Sequence, residues 1–297
     1  MFANSGEVSA MMHATRRGAA GAVGMVEKDR RQPKDSAKRA SATTHEGAAK
    51  AVRRAVRVLF CLSEERRGLG VSELAETVGM TKTTAHRMLS VLEDEGLILA
   101  NPVTHRYEIG YGLVRIASKF LSSGDLPSTS LPYLHQLRDQ CGETVVLSVR
   151  LGYQRIALLQ VESTQELRCS TEIGSGLPLC KGALGKVLLA HLPPEDIEEI
   201  IQQYLGPTTI ETETQKYELL TQLHQIREQG YAISHGERMP GGVGIAAPVK
   251  NPLGTVVASI AAYGPDRRLT QSRIQVLLPL VEQAAASISQ ALSERGT

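Results

Sequence analysis

The chain has no tryptophan and only three phenylalanines among its 297 residues. Its cores must therefore be built from Leu, Ile, Val and Ala. Four cysteines, Cys61, Cys141, Cys169 and Cys180, are scattered with no CxxC pair. That spacing argues against a zinc ribbon and a disulfide scaffold, and for buried thiols in a reducing compartment. No apolar run is long enough to span a bilayer, and no stretch has the charged, apolar, small order of a signal sequence. A cytoplasmic protein is the expectation. His191, His224 and His235 lie far apart and lack the HExxH spacing of a zinc hydrolase, so no metal and no other cofactor is expected.

Catalytic motifs are missing too. Gly182-Ala183-Leu184-Gly185-Lys186 invites a phosphate-loop reading and fails it. Cys180 stands where the first glycine of such a loop belongs, and Val187 where a hydroxyl would hold magnesium. Cys180 with a histidine and Glu237 could form a nucleophile and base, but a buried, inert cysteine is far commoner. An enzyme is not expected. The helix start at Gly182 reads instead as a set of free amides facing a pocket, which would attract a carboxylate.

What is present begins with a charge split. Net charge is +2, yet residues 1–123 hold 19 Lys/Arg against 13 Asp/Glu, and the remainder 14 against 18. A basic front and an acidic back fit an N-terminal part that meets a polyanion. Residues 1–50, rich in Ala, Gly, Ser, Thr, Lys and Arg with no sustained apolar period, predict a disordered, mildly basic arm.

Order is expected from about Ala51. Val52, Ala55, Val56, Leu59 and Phe60 make one helical stripe. Gly68 and Gly70 break the chain before Val71. The stretch Val71–Gly96 then reads as helix, Gly79-Met80 turn, helix. Thr81 is placed to cap the second helix. Ala85, Met88, Leu89 and Leu92 share its buried face. Lys82, Thr83, His86, Arg87 and Ser90 share the other, which has no carboxylate until Glu93. This is the pattern of a recognition helix in a helix-turn-helix. The expected DNA contacts are Lys82 and Arg87 to phosphate or guanine, with Thr83, Thr84 and His86 near bases. Gly96 ends the helix. Leu97-Ile98-Leu99 and Tyr107-Glu108-Ile109 predict a two-stranded wing whose tip residues, His105 and Arg106, would touch backbone or minor groove. Residues 51–110 thus read as a winged helix-turn-helix.

Residues 111–130 read as an amphipathic helix, carrying Leu113, Ile116, Ala117, Phe120 and Leu121, followed by a linker. That helix must pack on a symmetry mate or the next domain, and it is the natural relay between domains. A new helix is expected from Ser130 with Pro132 near its first turn, ending at Cys141-Gly142. Residues 131–297 form the second domain. Strands are predicted at Thr144–Arg150, Arg155–Glu162, Leu167–Ile173, Tyr231–Ser234, Gly244–Val249 and Thr255–Tyr263. Helices are predicted at Gly182–His191, after Pro193-Pro194, over Glu213–Gln229 and over Thr270–Ser293. The order implies an α+β domain around a mainly antiparallel sheet flanked by helices.

Three segments carry a family resemblance: LAETVGMTKTTAHRMLSVLEDEGL in the helix-turn-helix, GSGLPLCKGALGKVLLA at Gly174–Ala190, and GYAISHGERMPGGVGIAAPV continuing to ASIAAYGP. Across residues 51–295 the chain resembles the IclR (isocitrate-lyase-regulator) type of bacterial transcription factor. The resemblance implies a GAF-like effector-binding domain behind the DNA-binding domain, dimers or dimers of dimers, and control by a small carboxylate or aromatic metabolite. It places the effector site at Cys180, Ala183 and Leu184, at Ser234, Glu237, Met239 and Gly244, and at Ala261 and Tyr263. Departures from the family pattern are Cys180 for its usual histidine, Gly182 for a threonine, Gly244 for a cysteine and Ser234 for an aspartate. These suggest a less polar pocket and an aromatic or larger apolar acid as effector.

The leading expectation is a ligand-responsive regulator of a metabolic operon, repressor or activator, on a near-palindromic operator. Two other classes stay open: a small-molecule sensor whose helix-turn-helix mediates protein contacts, and a hydrolase built on the C-terminal domain.

Overall fold

The computed structural model describes residues 34–123 and 125–295, with side chains described for 46–121 and 126–294. Most of the expected disordered arm, residues 1–33, lies outside the described residues. The chain divides between Gly110 and Tyr111 into two compact units.

In the N-terminal unit, helix α1 spans Lys34–Glu64, α2 spans Val71–Val78 and α3 spans Lys82–Asp94. Helix α1 thus starts at Lys34 and not near Ala51, so residues 34–50 are helical rather than part of an unstructured arm. Its core face also differs from expectation. Val58 and Leu62 are buried, with Ala55 and Leu59 packed beside them, while Val52, Val56 and Phe60 stay exposed. Apolar residues cover so much of this helix that the stripe read from the sequence was rotated away from the true contact face.

Gly79 ends α2 in the left-handed conformation, φ 70°. Its amide and that of Met80 close back on α2 carbonyls, as expected of a helix stop that favours glycine. Thr81 caps α3 by accepting from the Thr84 amide. Gly96, φ 69°, closes α3, with the Leu97 amide donating to the Leu92 carbonyl at 2.8 Å. Strands β1 (Ile98–Ala100) and β2 (Tyr107–Ile109) pair antiparallel as the wing. Leu69 adds a third rung by exchanging two backbone hydrogen bonds with Tyr107. Gly68 must be glycine for this: its φ is positive and a β-carbon would collide with the Tyr107 carbonyl.

The C-terminal unit opens with α4 (Tyr111–Ser123) and α5 (Asp125–Cys141). The expected linker at 126–130 is part of α5, and Pro132 sits inside that helix instead of in its first turn. Leu134, Leu137 and Cys141 bury the helix against the sheet. That packing overrides the local break expected at a helix proline.

Strands β3 (Thr144–Leu151), β4 (Gln154–Val161), β5 (Gly176–Pro178), β6 (Ala232–His235), β7 (Gly242–Lys250) and β8 (Val256–Pro265) form one sheet in the order β5-β4-β3-β8-β7-β6. Every neighbouring pair is antiparallel. The strand expected at Leu167–Ile173 does not form. The Gln160 side chain takes up the Thr171 amide at 2.7 Å, and the free edge of β4 pairs with β5 instead.

Helices cover both faces, so the central strands are buried on both sides and read as near-continuous apolar runs. One face packs on α5 and on α9 (Gln271–Arg295). The other packs on α6 (Gly182–Ala190), α7 (Pro194–Leu205) and α8 (Ile210–Gln229). A bulge in β4, opposite Leu147 and Ser148, switches the alternation of that strand. Leu159 and Val161 therefore join the α5/α9 side, while Ala157 joins the α6 side. Arg155, two residues before Ala157, is carried to the α6 side as well.

Candidate functional sites

The first site is the outward face of α3. Lys82, Thr83, His86 and Arg87 are exposed there, above the buried Ala85, Leu89 and Leu92. No acidic residue stands in the first turn, so no carboxylate there offsets the positive helix N-terminus. Thr84 is partly committed. Its amide and hydroxyl both bond the Thr81 hydroxyl, the latter at 2.9 Å. At the wing, Asn101 fixes the turn by accepting from the amides of Val103 and Thr104. His105 is exposed at the tip with φ 53°, a left-handed conformation rare outside glycine.

Arg106 has a different role from the one its position suggests. Its Nε donates to the carbonyls of Arg67 and Gly68, and Nη2 to Glu73 Oε2 at 2.8 Å. The arginine ties the wing to α2 and is not presented freely at the tip. Glu73 in turn accepts from the Gly70 amide at 2.7 Å. That backbone bond first, and Arg106 second, hold its carboxyl below the usual range.

The second site is a cavity between the sheet and the start of α6. Ser234, Gly244 and Tyr263 stand in one register row across β6, β7 and β8. Ala246, Ala261 and Val146 form a second row across β7, β8 and β3. The small side chains in these rows leave a hollow that Gly182, Ala183 and Leu184 roof. Ser259 ties the roof to the sheet by donating to the Leu184 carbonyl at 3.0 Å. Gly185 permits the close approach, because a β-carbon there would strike the Leu179 carbonyl. The enclosed space is about 30 Å³.

Arg155, Thr171 and Arg238 complete the wall. Arg155 is only 3% exposed. Its Nη1 donates to Ser148 Oγ at 3.1 Å, while its Nε is buried with no partner. Burial first, and the nearby Arg238 charge second, pull its pKa down to about 10. Arg238 lies over the Tyr263 ring, 4.9 Å from its centroid, and donates to the Ser170 carbonyl at 2.6 Å. Thr171 Oγ1 is also buried without a hydrogen bond, and the buried Tyr263 hydroxyl meets the Cys169 thiol. No acidic side chain lines this cavity among the described residues.

Of the residues expected at an effector site, Ala183, Leu184, Ser234, Gly244, Ala261 and Tyr263 line the cavity. Three others do not. Cys180 is packed in the core under α6, and burial pushes its thiol up to about 12. Such a thiol is a poor nucleophile. Met239 is on the surface, 43% exposed. Glu237 faces the helix start: Oε2 accepts from the Gly182 amide at 2.9 Å and Oε1 from Lys186 Nζ at 2.7 Å. The carboxylate expected at that helix N-terminus is thus supplied by the chain itself. Two guanidinium groups also stand in the wall of the cavity, which the departures from the family pattern did not suggest.

Arg155, Thr171, Arg238, Val146 and Gly182 were not among the expected site residues. One signal was available for Arg155: it sits in an apolar strand, two positions before the fully buried Ala157. Among the described residues, no cluster of His, Cys, Asp or Glu could hold a metal, and no helix is long and apolar enough to cross a membrane.

Comparison with known proteins gives the family of the chain. The profile described as "Bacterial transcriptional regulator IclR C-terminal" matches residues 118–290. The one described as "IclR helix-turn-helix domain" matches residues 51–102. The chain is 30% identical over 249 residues to the HTH-type transcriptional repressor AllR of Escherichia coli strain K12, covering 82% of this chain and 90% of that protein. It is 30% identical over 250 residues to the HTH-type transcriptional regulator BhcR of Paracoccus denitrificans, covering 84% and 89%. A solved structure of an IclR transcriptional regulator from Alicyclobacillus acidocaldarius superposes with a TM-score of 0.72 at 27% identity, covering 82% of this chain and 98% of that one. An IclR homolog from Microbacterium hydrocarbonoxydans, solved with 4-hydroxybenzoate, shares the fold at TM-score 0.69 and 23% identity, covering 83% and 100%.

Proposed function

The chain belongs to the IclR family of bacterial transcriptional regulators, and from that premise we propose that a small organic acid enters the Arg155 cavity and shifts the protein's affinity for its operator. The buried, unpartnered Nε of Arg155 carries this reading. A guanidinium taken out of water without an acid partner is costly. A ligand carboxylate relieves that cost through a charge-assisted fork of two hydrogen bonds. The apolar body of the acid would rest on Val146, Ala183, Leu184, Ala261 and the Tyr263 ring. Such a surface accepts an aromatic ring, in keeping with the 4-hydroxybenzoate complex of the Microbacterium protein.

On the DNA side, Lys82, Thr83, His86 and Arg87 would read the major groove, with Thr84 at the phosphate backbone and His105 at the wing. The operator would be a near-palindrome read by a homodimer or a dimer of dimers. Exposed apolar residues favour self-association: Val52, Val56 and Phe60 on α1, and Val114, Ile116 and Phe120 on α4. The protein would act in the cytoplasm without catalysing a reaction. In this reading residues 51–110 bind DNA, residues 131–297 bind the effector, and 111–130 join the two.

Thermal-shift screening with aliphatic and aromatic acids tests the proposal, since a ligand that binds the folded state raises the melting temperature by mass action. At least one acid should do so in the wild type and none in Arg155→Met. A panel in which only neutral compounds stabilise the protein overturns it.

A further inference from the structure

The same cavity carries more positive charge than one carboxylate answers. We propose that its effector is a dianion, a small acid with a second acidic group, one group held by Arg155 and the other by Arg238. This rests on the reading of the cavity as the effector site and goes beyond it in naming the ligand's charge.

Four observations lead there. First, Arg155 and Arg238 both line the cavity, and each is close enough for the Arg238 charge to disfavour protonation of Arg155. Two like charges facing one low-dielectric space repel, and the repulsion is lifted only by anionic charge between them. Second, the carboxylate bonded to the Gly182 amide of the roof is already used. Glu237 is held by Lys186 Nζ and the Gly182 amide, so that pair is neutral as a unit. Third, the wall holds two unpartnered polar atoms, Arg155 Nε and Thr171 Oγ1, on side chains that are each more than nine-tenths buried. One carboxylate can meet the Arg155 side of the wall, and a second lets the Arg238 fork be met at the same time. Fourth, Arg238 is half-buried on the turn between β6 and β7, flanked by Gly236 and Gly241 with φ of 68° and 72°. The Ser170 carbonyl and the Tyr263 ring hold it. The free space is about 30 Å³, so a ligand enters by shifting a wall side chain, and Arg238 is the one lining residue that is not buried. A second acidic group gives the displaced guanidinium a new partner.

Calorimetry on the full chain with matched pairs tests this: glutarate against its monoamide, and terephthalate against 4-carbamoylbenzoate. Within each pair only the second charge differs, and comparison between pairs reports whether the body is aliphatic or aromatic. In at least one pair the dianion should bind about tenfold or more tightly than the monoamide, a difference typical of a charge-assisted bond gained in a desolvated site. In Arg238→Gln, with its melting temperature retained, that ratio should fall to about threefold or less. Equal binding of dianion and monoamide by the wild type overturns the dianion proposal and leaves the acid-effector reading intact. A dianion preference that survives in Arg238→Gln overturns the assignment of the second group to Arg238. Binding of the neutral diamides with none of the acids overturns the acid-effector reading itself.

Discussion

Glu237 reaches Lys186 with one carboxylate oxygen, at 2.7 Å, and with the other accepts the amide of Gly182 that opens the same helix. Gln222 supplies a second partner to the lysine at 2.7 Å. The Lys186 side chain is 9% exposed and that of Glu237 29%. The pair therefore fixes the roof of the cavity from outside the lining. Removing the acid strands a nearly buried cation. Glu237→Gln should lower unfolding stability by about 2 kcal/mol, reduced from the full buried-pair penalty because the glutamate is partly in water. Chemical denaturation measures this, and an unchanged midpoint would show that the pair does not hold α6.

Filling the cavity tests its position. Gly244 has ordinary backbone angles, and a β-carbon there would lie 3.3 Å from Ser234 Oγ and 3.7 Å from the Ala183 β-carbon. Gly244→Val should weaken binding of the stabilising acid by about tenfold or more, by occupying the space between sheet and helix. Operator binding without the acid should persist. An undiminished acid affinity would place the effector elsewhere.

Two arginines of the N-terminal unit should separate cleanly. Arg87 is exposed on α3, so Arg87→Ala should cost about 1–3 kcal/mol of operator binding with little change in melting temperature. Arg106 ties the wing to Glu73 and to two carbonyls, so Arg106→Ala should lower the melting temperature of this unit. Footprinting together with thermal melts checks both. If Arg87→Ala footprints like wild type, α3 does not lie in the groove.

Much of this could be read from the sequence, and the misreadings have physical causes. Helix α3 was legible because its cap at Thr81, its stop at Gly96 and its apolar period are all local. The face of α1 was not, because Val52, Val56 and Phe60 extend the apolar arc past the residues that pack. Helix α5 was cut at its prolines, since only contact with the sheet shows that Pro132 is tolerated. Six cavity residues were found from motif position. Arg155 was missed because a bulge in β4 decides which face it joins, and that is a property of strand pairing rather than of local pattern. Glu237 stands beside the cavity, where it accepts from the Gly182 amide that opens α6.

Acid should loosen the wing. The Glu73 carboxyl is held below its ordinary value of 4.5 by the Gly70 amide and by Arg106. A carboxyl depressed in the folded state stabilises the fold above its unfolded pKa and loses that contribution as pH falls through the folded one. Melting temperature should therefore drop below about pH 4.5 in the wild type. The drop should be shallower in Glu73→Gln. Identical acid limbs would show that the Glu73 contacts do not contribute in solution.

The account turns on one coupling, between Arg155 in the cavity and the operator bound by α3. Fluorescence anisotropy on an operator fragment, selected by the protein itself from random-sequence DNA, measures it directly. An acid that stabilises the wild type should change its operator affinity about fivefold or more, the usual scale of allosteric coupling. It should leave the affinity of Arg155→Met unchanged. The same response in Arg155→Met, or no response in a wild type that demonstrably binds the acid, would contradict the account.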